Sequence, residues 1–355
     1  VLTVDSHPTR RGRLTIMINR HYHDLIWLEL TASGILVKSR HRSNKETAHM
    51  TNYNILATEP KQFLALTGYT VEEFDALLPT FSKCFLTQMQ RFTLAGKLRQ
   101  RPYVSYRNCP LPTAADKLLF ILMYLRKATT QDIFGEVFNM AQPVANQWIH
   151  RLHESLNQAL VALKACPVRT AEALDLEGDQ VKLYFQDGTE RPIQRPKDRA
   201  EQETFYSGKK KRHTVKNNVL VNAQGEIVLL TPTCEGKKHD KKVADEAAFT
   251  LPADSVLYQD TGFQGFALAD TTICQPKKKP RGGELTADEK AENQQISRIR
   301  VRVEHAINGV KRYRIVKDQL RNWKAGFRDQ VMATCCGLHN FRLRFRSWDY
   351  FSVIT

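Results

Sequence analysis

The stretch Val181-Lys182-Leu183-Tyr184-Phe185-Gln186-Asp187-Gly188 decides the fold. Its residues alternate with period two and stop at an Asp-Gly pair, the pattern of a strand that runs into a turn. Downstream, Thr214 to Asn222 and Glu226 to Thr231 form two more β-rich runs joined by Ala223-Gln224-Gly225. Ser255 to Gln259 is a fourth, and Thr271 to Cys274 offers a short fifth. A helix from His239-Asp240 to Phe249 separates the third run from the fourth, and a long helix follows from about Thr286 through Tyr313. Three strands, a helix, two strands and a long helix describe an α/β unit, a mixed sheet flanked by helices.

Upstream of Ala171 the period is helical. Thr58 is expected to cap a short helix with Pro60 in its first turn, and Thr70 to Glu73 reads as a capping box. The helix it opens carries Phe74, Leu77 and Leu78 and is expected to end at Pro79, with Phe81 and Phe85 continuing an apolar face beyond it. A second helical group starts at Pro112 and runs through Leu118, Leu119, Leu122 and Leu125. Thr129 to Asp132 caps a short helix, Asn139-Met140-Ala141 turns, and Val144, Trp148, Leu152 and Leu156 then repeat every fourth residue. This is the outline of a helix-turn-helix whose last helix offers Gln142, Asn146, Gln147 and Arg151 to a major groove; a plain three-helix bundle has the same outline. Residues 1 to 49 hold five of the 11 His and no sustained period. They read as an upstream extension in which Leu14 to Leu36 forms a short hairpin. The expected organisation is thus an extension (1–49), a helical region (50–110), a helix-turn-helix (111–170), a catalytic domain (171–345) and a tail (346–355).

The chain has 355 residues and carries 53 Lys and Arg against 37 Asp and Glu, a formal charge of +16. The excess is clustered in Lys209, Lys210, Lys211 and Arg212, in Lys237, Lys238, Lys241 and Lys242, and in Lys277, Lys278, Lys279 and Arg281. One such run is commonly only a solvated face; three in one region point to a polyanion. The longest apolar run, Leu118 to Leu125, falls far short of the roughly 20 residues that span a bilayer, so no membrane partner is expected. Seven cysteines with no C-x-x-C pair suggest neither a disulfide framework nor a thiolate zinc site.

Three acids fall at informative places: Asp187 ends the first strand, Asp260 ends the fourth, and Glu304 lies in the long helix with Arg300 one turn before it. Carboxylates delivered from separate elements to one sheet edge can hold a hard cation such as Mg²⁺. Acids at strand ends are also ordinary turn formers and caps, and Asp240 competes for the second position. Asp240 precedes a helical run, so its expected role is to cap that helix, which leaves the site to Asp260. His239 and His305 are expected beside the acids rather than as ligands.

Several motifs occur in order: Asp187-Gly188-Thr189, Tyr206-Ser207-Gly208-Lys209-Lys210-Lys211, His213-Thr214-Val215-Lys216, His239-Asp240, and Asp260-Thr261-Gly262-Phe263-Gln264-Gly265. Ser297, Arg300, Glu304 and Lys311 follow at the spacing of a helical signature. This series resembles the DDE-type transposases of the bacterial insertion-sequence and Harbinger-related group. The likeness covers about residues 112 to 345; Ser297 stands where many members carry Tyr, which bears on a tyrosine contact to DNA but not on the acids. The resemblance implies an RNase H-like catalytic domain in which Asp187, Asp260 and Glu304 bind metal, Mg²⁺ with Mn²⁺ as a substitute. It implies cleavage at transposon ends and joining of 3′-hydroxyls to target DNA, by a homodimer on DNA in the nucleoid of a bacterial cytoplasm. Arg300 and Lys311 would hold DNA phosphates, and Lys209 to Lys211 with Lys277 to Lys279 would track the backbone. Two other classes share these features: a DNA-binding protein descended from a transposase, and an endonuclease without strand transfer.

Overall fold

The computed structural model describes residues 52–106, 108–178, 181–322, 324 and 326–346, together with the backbones of four strands between Val4 and Ser39. The chain divides into two compact units, Val1–Ile55 and Leu56–Thr355. In the first, β1 (Val4–Pro8), β2 (Leu14–Arg20), β3 (Asp24–Thr31) and β4 (Gly34–Ser39) form an antiparallel meander. The expected hairpin is therefore part of a four-stranded sheet.

Helix α1 (Tyr53–Leu56) runs across the division, and helices α2 (Pro60–Thr67) and α3 (Val71–Arg91) open the second unit. The residue capping α2 is Glu59, not Thr58. The Thr70/Glu73 capping box starts α3 as expected, but the helix runs straight through Pro79. Its buried face, Phe74, Leu77, Phe81, Phe85 and Met89, explains why. Each such side chain contributes roughly 1.5–3 kcal/mol on burial, so together they outweigh the roughly 3 kcal/mol that an interior proline costs. Helices α4 (Ala114–Lys127), α5 (Gln131–Val137) and α6 (Gln142–Ala162) make the helix-turn-helix. Thr113 and Asp116 box the start of α4, and the Phe120 ring packs 4.7 Å from Phe134 and 4.8 Å from Phe138 to lock α4 onto α5.

The sheet follows: β5 (Leu183–Pro192), then helix α7 (Arg199–Phe205) and short β6 (Tyr206–Ser207), then β7 (Arg212–Val221), β8 (Ile227–Leu230) and β9 (Cys234–Glu235). Helix α8 (Asp240–Ala247) leads to β10 (Ser255–Tyr258) and β11 (Thr271–Cys274). Helices α9 (Ala287–Lys311), α10 (Arg314–Lys317) and α11 (Phe327–Leu343) complete it. Strands β5, β7 and β8 pair antiparallel, whereas β10 pairs parallel with both β5 and β11. This is the mixed sheet of an RNase H-like domain, preceded by a helical helix-turn-helix region. On one face Tyr184, Leu220 and Leu257 join Phe249, Phe263 and Phe266 in a buried core. Helices α9 and α11 contact the strands, and α11 also packs on α6, with Asn157 Nδ2 donating to Thr334 Oγ1 at 3.0 Å. The helix-turn-helix and the sheet thus belong to one packed unit.

Candidate active site

Asp187 does not end its strand; β5 continues to Pro192, with Asp187 opposite Val219 and Gly188 opposite Asn218 of β7. Gly188 is there for a close approach rather than a turn, because a Cβ at this position would collide with the Asp240 carboxylate. Asp260 lies just beyond β10, the parallel neighbour of β5, and its Oδ1 accepts the Gly262 amide at 2.8 Å. Adjacent parallel strands therefore bring these two acids to one edge. Burial and the nearby Asp260 charge push the Asp187 carboxyl up to about 6, against the pull of Arg300 and of the Gly188 amide.

Glu304, on α9, stands across a cation from them. Arg300 Nη2 donates to Glu304 Oε1 at 2.7 Å while Nη1 lies 3.6 Å from Asp187 Oδ2. The Glu304 side chain is 47% exposed, against 18% for Asp187 and Arg300. Among the described residues no three Asp, Glu, His or Cys side chains converge closely enough to hold a metal ion. The pair Asp187 and Asp260 still suits a hard dication, since Mg²⁺ commonly takes one or two carboxylates and completes its shell with water and substrate phosphate. Burial, more than Asp260, opposes ionisation of Asp187, and Arg300 offsets only part of that push.

Asp240 is placed otherwise than expected. His239 is the N-cap of α8, and no side-chain cap bond is made. The Asp240 carboxylate instead lies between the two acid-bearing segments: a Cβ on Gly262 would sit 2.8 Å from Asp260 Oδ1 and 3.3 Å from Asp240 Oδ2. Its Oδ1 is 3.0 Å from Lys216 Nζ without an aligned hydrogen bond, and Lys216 lies 3.6 Å from Glu190 as well. Lys311 belongs to the same cluster, its ammonium held below its usual range by burial and by Lys210, with Asp187 and Glu190 acting the other way. His239 and His305 are exposed at the margin.

The residues expected on DNA fall into three sets. Lys209, Lys210 and Lys211 are fully on the surface, on the turn between β6 and β7. Lys277 pairs with Glu292 at 2.9 Å and Lys279 with Glu284, whereas Lys278 and Arg281 make no ion pair among the described residues. In the helix-turn-helix, the Gln142 and Asn146 amides both donate to Gln131 Oε1, at 2.8 and 2.9 Å, and Gln147 is half-buried. Arg151 does not face outward. Only 7% exposed, it pairs with Glu154 at 2.9 Å, donates to Thr93 O at 3.2 Å and lies 5.5 Å from the centre of the Phe92 ring.

Comparison with known families places this geometry. Residues 186–340 match the model of the DDE superfamily endonuclease. Residues 109–162 match the helix-turn-helix of the same superfamily, which selects that reading of α4 to α6 over a plain bundle and implies DNA binding. The probable transposase for insertion sequence element IS702 of Microchaete diplosiphon is 24% identical over 234 residues, 65% of this chain and 82% of that protein. No solved structure matches. The DDE endonuclease domain thus spans the sheet and its acids, and α9 brings Glu304 to them. No helix among the described residues is long and apolar enough to cross a membrane.

Proposed function

We propose that this chain is an insertion-sequence transposase that binds the ends of its element, cleaves phosphodiester bonds there and joins the freed 3′-hydroxyls to target DNA. One observation carries the reading: neighbouring parallel strands crowd two carboxylates at one buried edge, where burial first and the Asp260 charge second push Asp187 up to about 6. Such crowding costs stability and is characteristic of sites built to bind or transfer charge. Asp187 and Asp260 would hold the divalent cation, Mg²⁺ or Mn²⁺, with Glu304 completing the set. The bound metal would supply Lewis-acid stabilisation of the attacking and leaving oxygens.

The chain's own residues do the rest. Gln142, Asn146 and Gln147 read base edges from α6, while Lys209 to Lys211 and Lys278 follow the phosphate backbone without sequence information. Arg300 and Lys311, beside the acids, hold the phosphates that flank the scissile bond. Residues 50–110 and 111–170 present the ends to the domain at 171–345, and joining of two ends calls for a homodimer on DNA. The setting is the nucleoid of a bacterial cytoplasm.

The test is to incubate the protein with duplexes from its own genomic flanks in Mg²⁺ and in Mn²⁺, mapping 3′ ends and joined products. Cleavage with joining is expected. Binding without cleavage would assign the chain to transposase-derived DNA-binding proteins, and cleavage without joining to nucleases.

A further inference from the structure

Between Ala76 and Ala115 the chain carries six basic residues and no acidic one. The structure folds part of this tract into a hairpin directly after α3. Phe92 pairs with Leu98, Thr93 N–H donates to Lys97 O at 2.7 Å, and Gly96, at φ +86°, closes the turn with its amide on Thr93 O at 2.9 Å. The contacts that withdraw Arg151 from solvent pin this hairpin to α6: its guanidinium lies over Phe92 and donates to Thr93 O. Lys97 and Arg101 are left exposed, as are Leu98 and Tyr106, each 74% exposed.

The turn forms one wall of a groove of about 440 Å³ whose floor includes Asn146, Gln147 and His150 of α6. The facing wall is the segment after α10, with Asn322 and Lys324; Asn322 Nδ2 lies 3.2 Å from His150 Nε2 and holds that wall to the helix. Exposed cations belong to both walls: Lys97 follows the turn residue Gly96 and Arg101 comes just after the hairpin, while Lys324 lines the other wall and Arg321 lies beside Gln142 and Asn146; Glu154, paired with Arg151, also lines the groove. A B-DNA major groove about 12 Å wide has a phosphate backbone along each edge, which is the same arrangement in negative charge. We infer that the Arg91–Tyr106 hairpin segment and the residues Arg321, Asn322 and Lys324 are two walls of one duplex-DNA cradle around α6, an inference that rests on the DNA-binding reading above. Arg151 acts within it as the positioning residue that holds the hairpin against the helix.

The experiment uses the full chain, with binding to a genomic-flank duplex and to a scrambled duplex followed by fluorescence anisotropy across a salt series. Each phosphate contact adds about 0.9 to the magnitude of the slope of log affinity against log salt, equivalent to roughly fivefold in affinity at 0.15 M salt. Lys97→Ala with Arg101→Ala is expected to weaken binding to both duplexes by about 30-fold and to reduce the slope by about two. Arg321→Ala with Lys324→Ala should do the same, and Lys97→Arg with Arg101→Lys should bind as the parent does. All four side chains are exposed, so circular dichroism and melting should be unchanged. Full affinity and an unchanged slope in either alanine pair, while the parent binds duplex, would overturn the cradle alone. A parent chain that binds no duplex would overturn the cradle and the proposed function together. If Tyr106→Ser and the Lys97/Arg101 alanine pair change sedimentation of the free protein but leave DNA affinity intact, the hairpin is a protein interface and the cradle is again overturned.

Discussion

Replacing Asp187 by Asn should make the metal-free protein more stable at neutral pH. The Asp187 carboxyl ionises near 3.8 when unfolded and is pushed up to about 6 in the fold by burial and then by Asp260. Its contribution to stability is therefore fully present below about pH 4 and is lost as pH rises through about 6. Above that, the folded chain holds an ionised carboxylate at a cost of about 3 kcal/mol, from roughly two pKa units at about 1.4 kcal/mol each. Asn keeps the shape and can still accept the Gly188 amide, which Asp187 Oδ1 accepts at 2.7 Å. Urea or thermal unfolding in a chelator should show Asp187→Asn more stable by up to about 3 kcal/mol at pH 8, or about 5 °C for a unit of this size. The gain should fall to roughly half at pH 5 and vanish near pH 4. Millimolar Mg²⁺ should stabilise the parent and have little effect on the variant, because the charge that attracts the cation has been removed. A variant no more stable than the parent at pH 8, or a gain independent of pH, would show that the fold does not hold the ionised Asp187 carboxylate at a cost.

Asp260→Asn and Glu304→Gln should each abolish end cleavage in Mg²⁺ while affinity for the end duplex stays within a few-fold; full cleavage by either variant would remove that residue from the set. Asp240→Asn leaves buried Lys216 with only the more distant Glu190 as ionic partner, so it should destabilise by roughly 1–3 kcal/mol and slow cleavage at least tenfold, read by melting and gel assay. A fully active Asp240→Asn protein would show that the carboxylate between Gly188 and Gly262 does not position the acids. Arg151→Ala should destabilise by roughly 1–3 kcal/mol and weaken binding to end and scrambled duplexes alike, whereas Gln147→Ala should leave melting unchanged and reduce only discrimination, by roughly 1–3 kcal/mol. Competition binding against scrambled duplex separates the two, and a purely discriminatory Arg151→Ala would return that side chain to the reading face.

The strands were legible because β10 alternates buried and half-buried positions with period two while β7, buried on both faces, carries a β-rich run, and the place of Asp260 was legible because it follows β10 directly. What misled lay where distant elements meet. Asp187-Gly188 has the composition of a turn, yet the glycine serves the approach of Asp240 from a helix more than fifty residues away, which no local pattern records. For the same reason Asp240 read as a cap: its position before α8 is local information, and its pairing with Lys216 of β7 is not. Arg151 read as outward because the i, i+4 repeat of Trp148, Leu152 and Leu156 marks one buried face of α6. A second face is covered by the hairpin at Phe92 and Thr93, which has too few residues for a periodic signal. Pro79 shows the converse, a strong local stop overridden by the packing of Phe74, Leu77, Phe81 and Phe85.

The charges at the sheet edge bear on how the two halves of the function fit together. Asp187, Glu190, Asp240, Asp260 and Glu304 gather their carboxylates at this edge among the cations of Lys216, Arg300 and Lys311, with Lys210 and Arg191 acting on Lys311 as well. The chain around them is +16. On the proposed reading, a phosphodiester is drawn to the molecule by its net charge and meets carboxylates interleaved with cations at the sheet edge. Asp187 and Asp260 would hold the divalent cation there, and Arg300, which now bridges Asp187 and Glu304, would offer its guanidinium to a phosphate. Binding of DNA and readiness to cleave it would then be separate properties of the chain: the exposed lysines and α6 would govern the first, and the acids around Arg300 the second.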